Sequence, residues 1–169
     1  NPFKPTIAWV ITPTKTQENS SYLDRSLKNF GERGIDPKVY DINSKDSSQF
    51  EQDLKDVDVI FIEGGNTFYL LKQMRDSGFD IFISKWVESG KPYIGVSAGT
   101  YVACPTIEMA LWKKHKRETF GIEDDLSALG LVDFLVTVHY EDKWKNEIDA
   151  GIKNTAMKTH ILRDGQALL

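Results

Sequence analysis

The sequence predicts an α/β domain, with three layers in which helices cover both faces of a mostly parallel sheet. Three observations carry that expectation. Short runs rich in β-formers recur along the chain, and stretches with helical spacing separate them. Glycines and prolines punctuate the changes of period. Several strand-like runs are continuously apolar rather than alternating, as strands buried on both faces are.

Residues 6–11 (TIAWVI) read as a first strand closed by Pro13. Ser21 and Asp24 have the spacing of a capping box, and Leu23, Leu27 and Phe30 follow at helical intervals until Gly31 and Gly34. A second strand over 38–42, a short helix over 47–54 and a third strand over 58–62 (DVIFI) lead to Gly64-Gly65. Helices over 67–76 and 81–88 group Leu70, Leu71 and Met74, then Ile83, Trp86 and Val87. The fourth strand, 92–96, runs into Ser97 and a helix over 98–103, and a later strand, 132–138, runs into His139. Residues 112–125, which include His115, are dense in charge and read as an exposed loop, and His160 begins a late strand. The Asp164-Gly165 turn returns into an apolar run that stops at Leu169. The expectation is a single domain over 1–169 that lacks its C-terminal end.

Composition narrows the function classes. Of 169 residues, 40% are hydrophobic and 27% charged, which suits a folded chain with an ordinary core. The net charge of -4 comes without a long basic block, so nucleic acid and anionic membranes are disfavoured partners. No apolar run approaches the roughly 18 residues of a membrane span, and no signal-like segment opens the chain. One Cys allows no internal disulfide and three His give no zinc spacing, so a reducing cytoplasm without metal or organic cofactor is expected. A homodimer is one assembly that the sequence leaves open.

Gly95-Val96-Ser97-Ala98-Gly99 fits G-x-S-x-G, in which glycines permit a sharp strand-to-helix turn that presents the serine hydroxyl. A serine that merely caps a helix is the competing reading. Serine needs a base to become a nucleophile, and His139 stands at a strand's carboxyl end, level with the elbow. Gly64, Gly65 and Asn66 open a helix at the same rim, where backbone N–H groups stabilise negative charge. The amides of Gly65 and Ala98 are the candidate oxyanion donors. A nucleotide-binding turn is disfavoured because the full dinucleotide and Walker patterns are missing. A thiol enzyme would need cysteine at the elbow, whereas Cys104 lies seven residues beyond Ser97.

With these residues in place, the chain resembles the S51 serine peptidases, the family of the aspartyl dipeptidases. FIEGGNTFYLL (61–71), YIGVSAGTYVACPTI (93–107), LGLVDFLVTVHY (129–140) and DGQALL (164–169) carry the likeness, in the family's order. The resemblance implies a fold related to class I glutamine amidotransferase domains, a Ser97 nucleophile, a His139 base and an oxyanion hole at Gly65. Where the family has its acid, a direct count finds Trp112, so the orienting carboxylate is assigned to Glu108. Glu118, Asp124 and Asp125 are the alternatives if the loop folds over the site. The family's arginine for an acidic substrate side chain is missing after His139. Lys143, Lys145 and Lys153 are the nearby cations, and Arg163 is the next arginine. The expected function is hydrolysis of short peptides, dipeptidase-like, with preference for N-terminal Asp-Xaa open. The alternative is a non-catalytic protein that binds a small peptide or carboxylate on the same scaffold.

Overall fold

The computed structural model describes residues 4–16, 21–113 and 118–169. In chain order the elements are β1 (Ile7–Val10), α1 (Ser21–Glu32), β2 (Lys38–Tyr40), α2 (Ser47–Leu54) and β3 (Val59–Ile62). They continue as α3 (Thr67–Ser77), α4 (Phe79–Glu88), β4 (Tyr93–Gly95), α5 (Ala98–Ala103) and α6 (Met109–Trp112). β5 (Leu135–Thr137), α7 (Lys145–Asn154) and β6 (Thr159–Ile161) complete the chain.

The main sheet has the order β2-β1-β3-β4, with every pair parallel. Side chains alternate across it as strand geometry requires. Ile7 and Trp9 of β1 pack with Phe30 of α1, and Val59 and Phe61 of β3 lean on that group. Ala8, Val10, Ile60 and Ile62 face the larger core, built with side chains from α2 to α5. The sheet is therefore sandwiched, and its strand ends are left for chemistry.

Local capping fixes where several of these helices begin and end. Asp46 caps α2 by accepting from the Ser48 and Gln49 amides, and Gln49 closes a capping box. Asn66 caps α3 through the Tyr69 amide at 3.0 Å. Gly78, at φ 75°, ends α3 in the left-handed conformation and starts α4.

Two features differ from the expectation. The strand before His139 does not join the main sheet but pairs in parallel with β6, so the described residues form two sheets. The described residues within 112–125 are also less exposed than their charge suggests. Phe120 packs on Tyr69 with ring centroids 5.1 Å apart, Arg75 holds the Asp125 and Ser127 carbonyls, and Lys113 is buried. Charge density misled the reading because partly buried aromatic and aliphatic side chains are interspersed with the charges. His115 lies outside the described residues.

Phe50 lies at the centre of an aromatic cluster, with its ring 4.9 Å from Phe79 and 5.7 Å from Phe82. Phe50→Ala should cost about 3–5 kcal/mol in denaturant unfolding, because the large cavity cannot fully collapse. Nearby, Asp53 accepts from the Lys45 ammonium at 3.0 Å and the Tyr40 hydroxyl at 2.9 Å, which together hold its carboxyl below the ordinary value. A lowered folded-state value stabilises the protein above the ordinary carboxylate pKa of about 4, and that contribution is lost as pH falls through the lowered value. Asp53→Asn should accordingly flatten the fall in unfolding temperature on acidification, measured by calorimetry across that window.

Candidate active site

The glycines around Ser97 answer a steric demand. A Cβ on Gly95 would lie 2.5 Å from the Gly99 carbonyl, and one on Gly99 would lie 2.5 Å from the Ile62 oxygen. This close backbone approach forces the turn after β4, leaving Ser97 at φ 51° and ψ -102°. Such a conformation costs on the order of 1–3 kcal/mol and persists only where its surroundings impose it. The Ser97 side chain makes no capping bond to α5, so helix capping does not explain the serine. Its hydroxyl instead stands 3.0 Å from His139 Nε2.

The imidazole reaches that point from the second sheet. β5 and β6 run in parallel, with Thr137 opposite Ile161, so the segments leaving them emerge side by side. Tyr140 donates its amide to the Leu162 carbonyl at 3.0 Å and continues the pairing past the strand ends. His139 takes φ 53°, and its Nδ1 lies 2.5 Å from Asp164 Oδ1. Serine, histidine and aspartate thus form one line of hydrogen bonds, Ser97–His139–Asp164.

Asp164, and not the expected Glu108, is the carboxylate that lies against the imidazole. Glu108 occupies the first position before α6, where its amide donates to Thr106 Oγ1, while Asp164 meets the imidazole. Among the alternatives, Glu118 offers its carbonyl to Asn66 and Asp125 pairs with Arg75 at 3.1 Å, while Asp124 is exposed. The sequence did hold a signal for Asp164. It lies three residues beyond a strand, as Ser97 and His139 lie just beyond theirs, but the parallel pairing of β5 with β6 was not legible.

The Gly64-Gly65-Asn66 turn closes on the same place. A Cβ on Gly64 would lie 3.2 Å from the Ser97 Cβ. The Gly64 amide donates to the buried carboxylate of Glu63 at 2.9 Å, so that donor is already engaged. The Asn66 side chain caps α3 and donates to the Glu118 carbonyl at 3.1 Å. Among the described residues the amides of Gly65 and Ala98 have no acceptor, which leaves both available to a ligand. Gly65 has φ 147°, and a Cβ there would lie 2.1 Å from the Pro13 oxygen.

A cleft of about 270 Å³ opens beside Ser97 and His139, and is also lined by Lys113, Lys143 and Trp144. Lys143 pairs with Glu141 at 2.8 Å. Arg163 is engaged by Asp142 at 2.6 Å and lies over the Tyr140 ring, while Lys145 pairs with Asp149. Cys104 is buried, and burial pushes its thiol up to about 11, unlike an activated nucleophile. Lys113, missed as a site residue because it fell in the charged stretch, donates to the Val138 and His139 carbonyls at 2.6 and 2.8 Å.

An α/β domain that presents a strained serine to an imidazole has the architecture of a serine-type hydrolase. The chain belongs to peptidase family S51, a family of serine-type peptidases, whose profile matches residues 2–169. It is 30% identical over 134 residues to an uncharacterized peptidase of Pasteurella multocida, covering 79% of this chain and 64% of that protein. It is 38% identical over 92 residues to a peptidase E of Shewanella amazonensis, covering 54% of this chain and 37% of that one. These alignments span less than two thirds of either relative. In three dimensions the chain resembles a Listeria monocytogenes crystal structure described as a peptidase E protein, with TM-score 0.79 and 25% identity over 95% of this chain and 78% of that one. A glutamine amidotransferase structure aligns with TM-score 0.50 at 17% identity, over 75% of this chain and 53% of that one, a likeness of fold alone. The three-layer architecture is thus of the class I glutamine amidotransferase type.

Gly65→Ala should be poorly tolerated, since both the space and the backbone conformation forbid a side chain. Its unfolding temperature should fall, and a serine-directed phosphonate should label Ser97 more slowly in whatever folded fraction remains.

Proposed function

We propose that this domain is a serine peptidase that hydrolyses short peptides, with Ser97 as nucleophile, His139 as general base and Asp164 as the orienting carboxylate. The observation that carries this reading is the line of contacts from Ser97 Oγ to His139 Nε2 and from His139 Nδ1 to Asp164. With Nδ1–H donated to Asp164, Nε2 is left with a lone pair facing the serine hydroxyl. His139 takes the hydroxyl proton as Ser97 Oγ attacks the peptide carbonyl, and the resulting imidazolium is stabilised by the carboxylate. The carbonyl oxygen becomes an oxyanion, for which the unoccupied Gly65 and Ala98 amides are the donors.

Collapse of the tetrahedral intermediate breaks the C–N bond, and the imidazolium gives its proton to the leaving amine. An acyl ester on Ser97 remains. Water, deprotonated by His139, attacks that ester, and the proton returns to Ser97 as the acid product leaves. These steps run on the protein's own acid, base and nucleophile.

Short substrates follow from the small cleft, whose volume falls just below the usual range for ligand pockets. Lys143 on its wall is a cation for a substrate carboxylate, and as a lysine it lacks the two-pronged fit of an arginine. A dipeptidase with relaxed acidic preference is the consequence. The lone buried thiol of Cys104 is compatible with a cytoplasmic setting. No helix among the described residues is long and apolar enough to cross a membrane.

The non-catalytic binding alternative drew its force from the missing acid, and the contact between His139 and Asp164 removes that motive. Ser97→Ala should abolish phosphonate labelling and lower kcat/KM on short peptides by a factor on the order of 10⁶. Asp164→Asn should lower kcat by a factor on the order of 10⁴ through the wrong tautomer, whereas Glu108→Gln should leave it unchanged. Binding of short peptides with no turnover in the unaltered protein, measured by calorimetry and product analysis, would reject the enzymatic reading.

A further inference from the structure

Lys113 combines features that neither the family likeness nor the serine–histidine–aspartate line explains. It is 6% exposed although lysines seldom are, and it lines the cleft that contains Ser97 and His139. Its ammonium donates to the carbonyls of Val138 and His139, at 2.6 and 2.8 Å. Charge-assisted bonds of this kind are about twice as strong as neutral ones.

His139 needs such an anchor. Its side chain is 55% exposed and that of Asp164 is 82% exposed, so packing does little to immobilise the pair. Its backbone lies at φ 53°, a region costly for a residue with a Cβ and kept only when the surroundings over-determine it. The carbonyls that Lys113 holds flank this strained position. Lys113 is itself delivered from a fixed point. The preceding residue, Trp112, lies directly against the Gly151 backbone of α7, so closely that a Cβ at Gly151 would fall 2.3 Å from the indole ring.

We propose that Lys113 is the positioning residue of the site: its buried ammonium clamps the Val138 and His139 carbonyls and thereby holds the imidazole between Ser97 and Asp164. It acts through His139 without entering the proton transfers. The proposal rests on the reading of His139 as general base, and it deepens that reading by explaining how an exposed imidazole keeps one orientation. Misplacement of a reacting group by about 1 Å can cost on the order of 10²-fold in rate.

The test uses the unaltered protein and Lys113→Met, which keeps much of the side-chain length but no donor. Long-range proton–nitrogen NMR reads the tautomer of neutral His139 from its carbon-bound ring protons, and a serine-directed phosphonate reads the reactivity of Ser97. The unaltered protein should show His139 protonated on Nδ1. Lys113→Met should shift it to a mixture of tautomers and slow labelling by on the order of 10²-fold. Should Lys113→Met fail to fold, Lys113→Gln, which keeps a neutral donor, is measured in the same way and should give the same change with smaller amplitude. An unchanged tautomer and labelling rate in a folded variant, or mixed tautomers already in the unaltered protein, would overturn the proposal. If Ser97 proves unreactive while the tautomer still responds to Lys113, the clamp stands and the peptidase reading falls.

Discussion

The close approach of backbone to backbone around Ser97 is the constraint on which the site depends. Gly95 lies against Gly99, Gly99 against Ile62 and Gly64 against the Ser97 side chain, with no room for a further Cβ at the first two. The chain leaving β4 must therefore turn sharply into α5, and the serine takes an uncommon conformation that aims its hydroxyl away from the helix it precedes. The parallel pairing of β3 with β4 supplies the fixed wall against which this happens, since Val96 continues that pairing by donating its amide to the Ile62 carbonyl. Rigidity of the sheet is thus converted into exposure of one oxygen.

A second, smaller sheet supplies the other half of the chemistry. Parallel pairing of β5 with β6 sends His139 and Asp164 out at the same end, from positions 25 residues apart, and no long-range side-chain packing is needed to bring them together. This economy leaves both groups exposed. Orientation must then come from hydrogen bonds, namely the Asp164 contact on one side of the histidine and the Lys113 contacts with its backbone on the other. The same logic governs the Gly64-Gly65-Asn66 turn, where Glu63 and the Pro13 carbonyl occupy the Gly64 and Asn66 amides and the amide between them is left open.

Much of the architecture was legible because it rests on local chemistry. The apolar runs of β1 and β3 and the elbow glycines each declare a conformation within a few residues. What escaped was non-local. Glu108 was a reasonable acid by distance along the chain, yet Asp164 meets the imidazole, because strand pairing and not sequence separation sets what lies beside His139. Lys113 escaped for a related reason, since a cation in a charged run looks solvated until two backbone carbonyls are found at its tip.

Residue type and short-range spacing alone determined the α/β alternation, the strained serine and the histidine at a strand's end, since steric exclusion and capping act between near neighbours. Only the tertiary structure decided which carboxylate lies against the imidazole, which amides remain open and which lysine is buried. Those outcomes depend on the register and packing of segments distant in sequence, and a one-dimensional pattern does not encode the distances between them.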